Sequence, residues 1–263
     1  MKRALILILL VALILMGCRP AAPPGAAKPE SLRVFAAASL TDAFTEIGEN
    51  FEAANPGTTI SFNFAGSQAL RTQIEEGAPA DVFASASKTE VDALIADALI
   101  DQDAPQQFLT NQLVIILPPN NPAGLETIED LARPGIKLVL AAEEVPVGKY
   151  TRQAFDNMDR QFGAGFKDQV LANVVSNEDN VRQVVAKVQL GEADAGIVYT
   201  SDAVSASALK TIEIPAGMNV IAAYPIAPLA KSKNSDLAKA FITYVLSADG
   251  QAILQKWGFS PAQ

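Results

Sequence analysis

The chain has 263 residues and no histidine, which removes the commonest metal ligand and the commonest general base at neutral pH. Cysteine occurs once, at Cys18, so no intrachain disulfide can form. Positive charge is scarce: 20 Lys and Arg stand against 29 Asp and Glu. That balance argues against nucleic acid as a partner. No internal repeat is present. The apolar run Ala4 to Met16 is too short to span a bilayer, which takes about 20 residues. Behind Met1-Lys2-Arg3, a run of that length reads as an export signal.

What the chain does have begins at Leu15-Met16-Gly17-Cys18, which resembles the lipobox of bacterial lipoproteins. The resemblance implies cleavage before Cys18 and lipidation of that cysteine; the plainer alternative is an ordinary signal peptide with an incidental thiol. Residues 18–30 are rich in Pro and Ala and short of bulky apolar side chains, a composition that stays extended and reads as a tether. Loss of residues 1–17 removes two basic residues and no acid, which leaves a net charge of −11. The remaining chain, roughly 230 residues, is enough for one large domain or two compact lobes.

Strand-like and helix-like patterns then alternate. Apolar runs at 32–37, 58–64, 81–84, 113–117, 137–141, 195–199 and 219–228 are rich in β-branched and aromatic residues. Helical periodicity fills 41–54, 67–76, 88–98, 125–132, 149–158 and 180–190. This predicts an α/β fold with mostly parallel sheets. Ligands of such sheets bind beyond the C-terminal ends of the strands, at the strand-to-helix turns.

Ser39 and Ser67 both fall at such turns. Helix starts carry N–H groups without intrahelical acceptors and the positive end of the dipole, so two of them facing one another suit a small anion. Each serine could instead be an ordinary N-cap, Ser39 pairing with Asp42 and Ser67 following the turn residue Gly66. The flanking residues favour the first reading. Ala36-Ala37-Ala38 and Ala65-Gly66 let a ligand approach the backbone closely.

The stretches Phe-Ala-Ala-Ala-Ser-Leu-Thr-Asp-Ala from Phe35, Gly-Ser-Gln-Ala-Leu-Arg from Gly66, Glu-Glu-Val-Pro-Val-Gly-Lys-Tyr from Glu143 and Gly-Ile-Val-Tyr-Thr-Ser-Asp-Ala from Gly196 resemble the molybdate-binding proteins of bacterial ABC importers. The similarity runs from about Leu32 to Phe259. It implies the type II periplasmic-binding-protein fold, with two α/β lobes joined by two crossing strands: residues 31–112 with 222–263, and residues 113–221. It further implies a molybdate or tungstate site made by the hydroxyls of Ser39, Ser67 and Tyr199 and the backbone amides of Ala86 and Val145, with no catalytic residue, no cofactor and no metal coordinated by side chains. The expected partners are that oxyanion, an ABC permease and, through the lipid anchor, the outer face of the cell membrane. A monomer is expected. Tyr199 could equally be a core aromatic whose hydroxyl finds any partner.

The chemistry suits an anion fully deprotonated at neutral pH. Molybdate, tungstate and sulfate only accept hydrogen bonds, whereas phosphate keeps a proton that needs an acceptor, so donors without a carboxylate disfavour it. Sulfate is thus the nearest alternative ligand. An enzyme is the rival of another class: Ser85-Ala86-Ser87-Lys88 matches the Ser-x-x-Lys pattern of penicillin-recognising hydrolases, with Ser85 as nucleophile and Lys88 as its activator. A surface lipoprotein acting only as adhesin or sensor would take no small ligand.

Overall fold

A computed structural model describes residues 30–262. The signal segment, Cys18 and most of the tether lie outside the described residues. Strands β1 (Glu30–Ala37), β2 (Thr58–Ala65) and β3 (Val82–Ala84) open the chain and pair in parallel, β1 between the other two. They alternate with helices α1 (Thr41–Ala54), α2 (Ser67–Glu75) and α3 (Lys88–Ala96). The C-terminal half of β1 is buried at every position, as expected of a parallel strand covered on both faces. Helix α1 buries Ala43, Phe44, Ile47 and Phe51, an apolar stripe at three- and four-residue spacing.

Strand β4 (Gln106–Leu117) is 12 residues long, about twice the usual length. The excess lets it serve two sheets. Its Gln106–Gln112 segment pairs antiparallel with β9 (Ile221–Pro228), while Leu113–Leu117 pairs antiparallel with β7 (Ala195–Tyr199) and β8 (Lys210–Glu213). Strands β5 (Leu138–Ala141) and β6 (Val174–Glu178) continue the second half in parallel with β7, and β9 returns the chain to β3. The path through the sheet is β2-β1-β3-β9-β4-β7-β5-β6, with the short β10 (Ser260–Pro261) added on β4. Each half is therefore parallel at its centre, and the antiparallel pairs gather on the crossing strands.

Helices α4 (Pro146–Phe162), α5 (Phe166–Leu171), α6 (Val181–Gln189) and α7 (Thr200–Ser205) cover the second half; α8 (Ser235–Leu246) and α9 (Ala248–Lys256) return to the first. Among the described residues no helix is long and apolar enough to cross a membrane. The helix expected over 125–132 is replaced by a loop and a single 3-10 turn at Glu129–Ala132. Side chains win there: Asn121 bonds both backbone groups of Leu125, and the Asp130 carboxylate accepts the N–H groups of Glu126 and Thr127. Asn and Asp often offer the backbone such an alternative to helix.

Phe44 anchors the core of the first half. Its ring lies 5.9 to 6.2 Å from those of Phe62, Phe108 and Phe241 and is fully buried. Phe44→Ala should lower unfolding stability by about 3–5 kcal/mol, read as a shift of the urea midpoint with unchanged m-value.

Candidate functional site

Six chain segments converge where the two halves face one another. From the first half come Ala37, Ala38 and Ser39 after β1, Ala65, Gly66 and Ser67 after β2, and Ala86 after β3; from the second come Val145, Pro146 and Val147 after β5, Asn180 and Val181 after β6, and Tyr199 at the end of β7. The cleft they bound, counted with its opening to solvent, is about 220 Å³. None of the lining side chains carries a formal charge. The close approach depends on small residues. A Cβ on Gly66 would stand 2.6 Å from the Asp179 carbonyl oxygen of the opposite half, and one on Gly148 would stand 2.0 Å from the Ala142 carbonyl oxygen. Glycine there lets the first turn of α4 sit directly on the end of β5.

Neither serine caps its helix. Ser39 lies in a 3-10 turn (Ala38–Leu40), and the N-caps of α1 and α2 are Leu40 and Gly66, neither with a side-chain cap bond. The Ser39 Oγ lies 2.9 Å from the Tyr224 hydroxyl, and the Ser67 Oγ accepts the Ala86 N–H at 3.0 Å. Tyr199 is 1 % exposed, and its hydroxyl meets no hydrogen-bond partner among the described residues. A buried phenol without a partner costs about 1–3 kcal/mol, so that O–H is set for something absent from the protein itself. Burial also pushes the Tyr199 phenol well above its ordinary range, so it stays a donor.

The two amides expected as donors both line the cavity, yet both are already engaged. The Ala86 N–H goes to Ser67, and the Val145 N–H closes a turn onto the Ala142 carbonyl at 3.1 Å. The donors left over belong to the first turns of α4 and α6. Val147 and Gly148 precede the first intrahelical bond of α4, Lys149 N–H to the Val145 carbonyl. Val181 follows the N-cap Asn180, whose side chain accepts only the Gln183 N–H. Val147 and Val181 border the cavity, and their dipole ends favour negative charge. Asn before the apolar run of α6 is a legible cap signal. What placed Val181 opposite the serines was β6, which the sequence pattern does not reveal.

Charge lies just outside this lining. Arg182 of α6 reaches across to the first half, donating to the Ala38 carbonyl at 3.2 Å and pairing with Asp42 of α1 at 2.5 Å. On its own side it stands 3.5 Å from Asp202. The Asp202 carboxyl is completely buried and accepts the Tyr199 N–H at 3.2 Å. Burial raises its pKa to about 7, against the opposing pull of Arg182 and of the Tyr199 N–H. The Gln68 side chain supplies a further bond between the halves, to the Asp179 carbonyl at 3.0 Å.

The hydrolase alternative fails on geometry. The Ser85 hydroxyl is buried and donates to the Ser87 carbonyl, while the Lys88 ammonium pairs with Asp92 on a largely exposed surface. Among the described residues Ser85 therefore has no base bonded to it, and Lys88 faces solvent.

Asp202 generates a stability prediction. Because its native pKa lies above that of the unfolded chain, the native state binds more protons between about pH 4 and 7, and stability falls as pH rises through that window. Asp202→Asn, which keeps an acceptor for the Tyr199 N–H, should raise the ligand-free melting temperature on the order of 5 °C at alkaline pH and little at pH 5. A thermal scan across pH checks this; a variant that keeps the wild-type slope would show that Asp202 does not carry it.

Residues 32–260 match the family model for bacterial extracellular solute-binding proteins. The chain is 41% identical over 242 residues to the molybdate-binding protein ModA of Mycobacterium tuberculosis H37Rv, covering 92% of this chain and 88% of that one. It is 30% identical over 234 residues to YvgL of Bacillus subtilis, provisionally named an ABC transporter substrate-binding lipoprotein, covering 89% and 87%. The solved periplasmic molybdate-binding protein of Azotobacter vinelandii shares the fold, with a TM-score of 0.78 at 20% identity over 88% of this chain and 100% of that one. The chain thus belongs to the bacterial extracellular solute-binding proteins and, within them, to the family of the ModA proteins.

Proposed function

We propose that this protein is an extracytoplasmic solute-binding lipoprotein that captures molybdate, and tungstate by the same chemistry, between two closing lobes and delivers it to an ABC permease. The observation that carries this reading is the buried, partnerless Tyr199 hydroxyl in a cavity lined without formal charge. In the proposed complex the oxyanion accepts from the hydroxyls of Ser39, Ser67 and Tyr199 and from the first-turn amides of Val147 and Val181. Ala86 supports it indirectly through Ser67, and Val145 shapes the wall. Hydrogen bonds to a charged group contribute roughly 1.5–3 kcal/mol each, so five of them can offset the dehydration of a dianion and still leave micromolar binding, about −8 kcal/mol.

The names of the relatives support the ligand and the transporter class: molybdate for the Mycobacterium tuberculosis protein, and an ABC transporter lipoprotein for that of Bacillus subtilis. The lobes are taken as residues 31–112 with 222–263 and residues 113–221, the chain crossing between them on β4 and β9. No step of chemistry is assigned to the protein, which acts as a monomer held to the outer face of the membrane by lipidated Cys18. At long range the net charge of −11 repels an anion, but salt screens that field beyond about 8 Å. Local dipoles then decide capture.

Ser39→Ala and Ser67→Ala should each weaken molybdate by about ten- to a hundredfold, the loss of one charge-assisted hydrogen bond. Isothermal calorimetry with molybdate, tungstate, sulfate and phosphate reads this directly, and unchanged affinity in both variants moves the site elsewhere. Cys18→Ser should release the protein from washed membranes or leave it unprocessed; a mature variant retained on membranes refutes the anchor.

A further inference from the structure

Both serines of the cavity have a protein donor behind them. For Ser67 it is the Ala86 N–H, whose direction is fixed because an amide can only donate. For Ser39 it is the Tyr224 hydroxyl at 2.9 Å, a bond that could run either way from its own geometry. The groups that bear on its direction lie one residue further back. The Asn111 side chain of β4 and the Tyr199 hydroxyl lie beside the Tyr224 hydroxyl, neither in a hydrogen bond with it. The Asn111 Oδ1 accepts the Gln112 N–H at 3.0 Å and its Nδ2 donates to the Ser201 hydroxyl at 2.8 Å. What the amide has left for Tyr224 is its second N–H.

A free N–H of Asn111 turned toward Tyr224 favours the arrangement in which the phenol gives its single proton to Ser39. The phenol is fully buried, and burial holds it far above its ordinary pKa, so that proton is always present. With Tyr224 as its donor, the Ser39 hydroxyl finds no acceptor among the described residues. Its own proton has only the cavity to point into.

We propose that Tyr224 is a positioning residue that holds Ser39 as a donor toward the cavity, in the order Asn111, Tyr224, Ser39, bound anion, and so makes the site reject oxyanions that carry a proton. The inference rests on the oxyanion reading above and deepens it. Hydrogen phosphate brings an O–H that needs an acceptor. Ser39 could supply one only by turning its own proton away, and Tyr224 blocks that turn. Ser67 is held in the same sense by Ala86, whose backbone no side-chain change can test. Tyr224 can be tested.

Tyr224→Phe keeps the ring, which packs edge-on against Phe108, Tyr199 and Phe259, and removes only the hydroxyl. Calorimetry at mildly alkaline pH, with molybdate, sulfate and hydrogen phosphate each titrated alone, should show molybdate and sulfate weakened by about three- to tenfold. Phosphate, silent at millimolar concentration with the wild type, should become measurable, so that the molybdate-to-phosphate ratio falls by at least about tenfold. In a Ser39→Ala background the same substitution should leave that ratio unmoved, because Tyr224 acts through Ser39. An unchanged ratio in Tyr224→Phe, or an equal change with and without Ser39, overturns the proposal. Asn111→Ala, which leaves the phenol but removes the donor behind it, carries the same ratio test if the phenylalanine variant does not fold. A wild-type protein that binds no molybdate refutes the oxyanion reading itself, whereas wild-type binding with an unchanged ratio in the variants refutes only the role of Tyr224.

Discussion

A buried polar atom must find a partner or destabilise the fold, and in this cavity the protein withholds the partner. The Tyr199 hydroxyl is enclosed and has no hydrogen-bond partner among the described residues, and the first-turn amides of α4 and α6 have no acceptor in their own helices. The architecture brings these groups to one point. Parallel strands on both sides deliver their C-terminal ends, and so their helix starts, toward the gap between the halves. Strands β4 and β9 join the halves so that those ends face each other. Without the 12-residue length of β4 the two sets of donors would belong to separate sheets.

Among the described residues the polar contacts between the halves are one ion pair and single hydrogen bonds, those of Asn111 to Ser201 and of Thr200 to the Gln112 carbonyl among them. Arg182 pairs with Asp42 and the Ala38 carbonyl, and Gln68 reaches the Asp179 carbonyl. Side chains as accessible as Arg182 and Asp42, at 29% and 32%, contribute roughly 0–1 kcal/mol as an ion pair. Contacts of that size do not lock the gap. A guest that engaged donors from both halves, as proposed above, would add more than they do. Arg182 has a second effect: its bond to the Ala38 carbonyl polarises the Ala38–Ser39 peptide and strengthens the neighbouring donors without putting a cation in the cavity.

Much of this was legible in the chain. The alternation of apolar runs and helical periods located seven of the strands, and the small residues around Ser39 and Ser67 marked those turns as close-approach sites rather than simple caps. The helical period over 149–158 located α4, which begins three residues earlier at Pro146. Which amide stays free was not legible, because the turn that takes the Val145 N–H onto Ala142 is set by the packing of Gly148 against the end of β5. Strand β6 was hidden by its position at the sheet edge: Val175 is exposed, and Ser176 and Glu178 bind Lys187, so its pattern is that of a polar loop. Strand β8, mostly exposed, was missed for the same reason. Tyr224 was one aromatic in the apolar run 219–228, and its bond to Ser39 joins residues 185 apart, beyond any local signal.

A negative group this close to an anion site would defeat it, and Asp202 shows how the fold avoids that. Its carboxyl lies three residues past Tyr199 but is turned away from the cavity, onto the Tyr199 N–H and toward Arg182. Burial moves its pKa to about 7, so near neutrality a large part of its charge is already gone. The charge that persists faces a guanidinium shared with Asp42. On the reading proposed above, selectivity then falls to the uncharged donors and to the direction in which their protons point. Directed hydroxyls discriminate where formal charge cannot, because a lysine or arginine attracts every dianion whether or not it carries a proton.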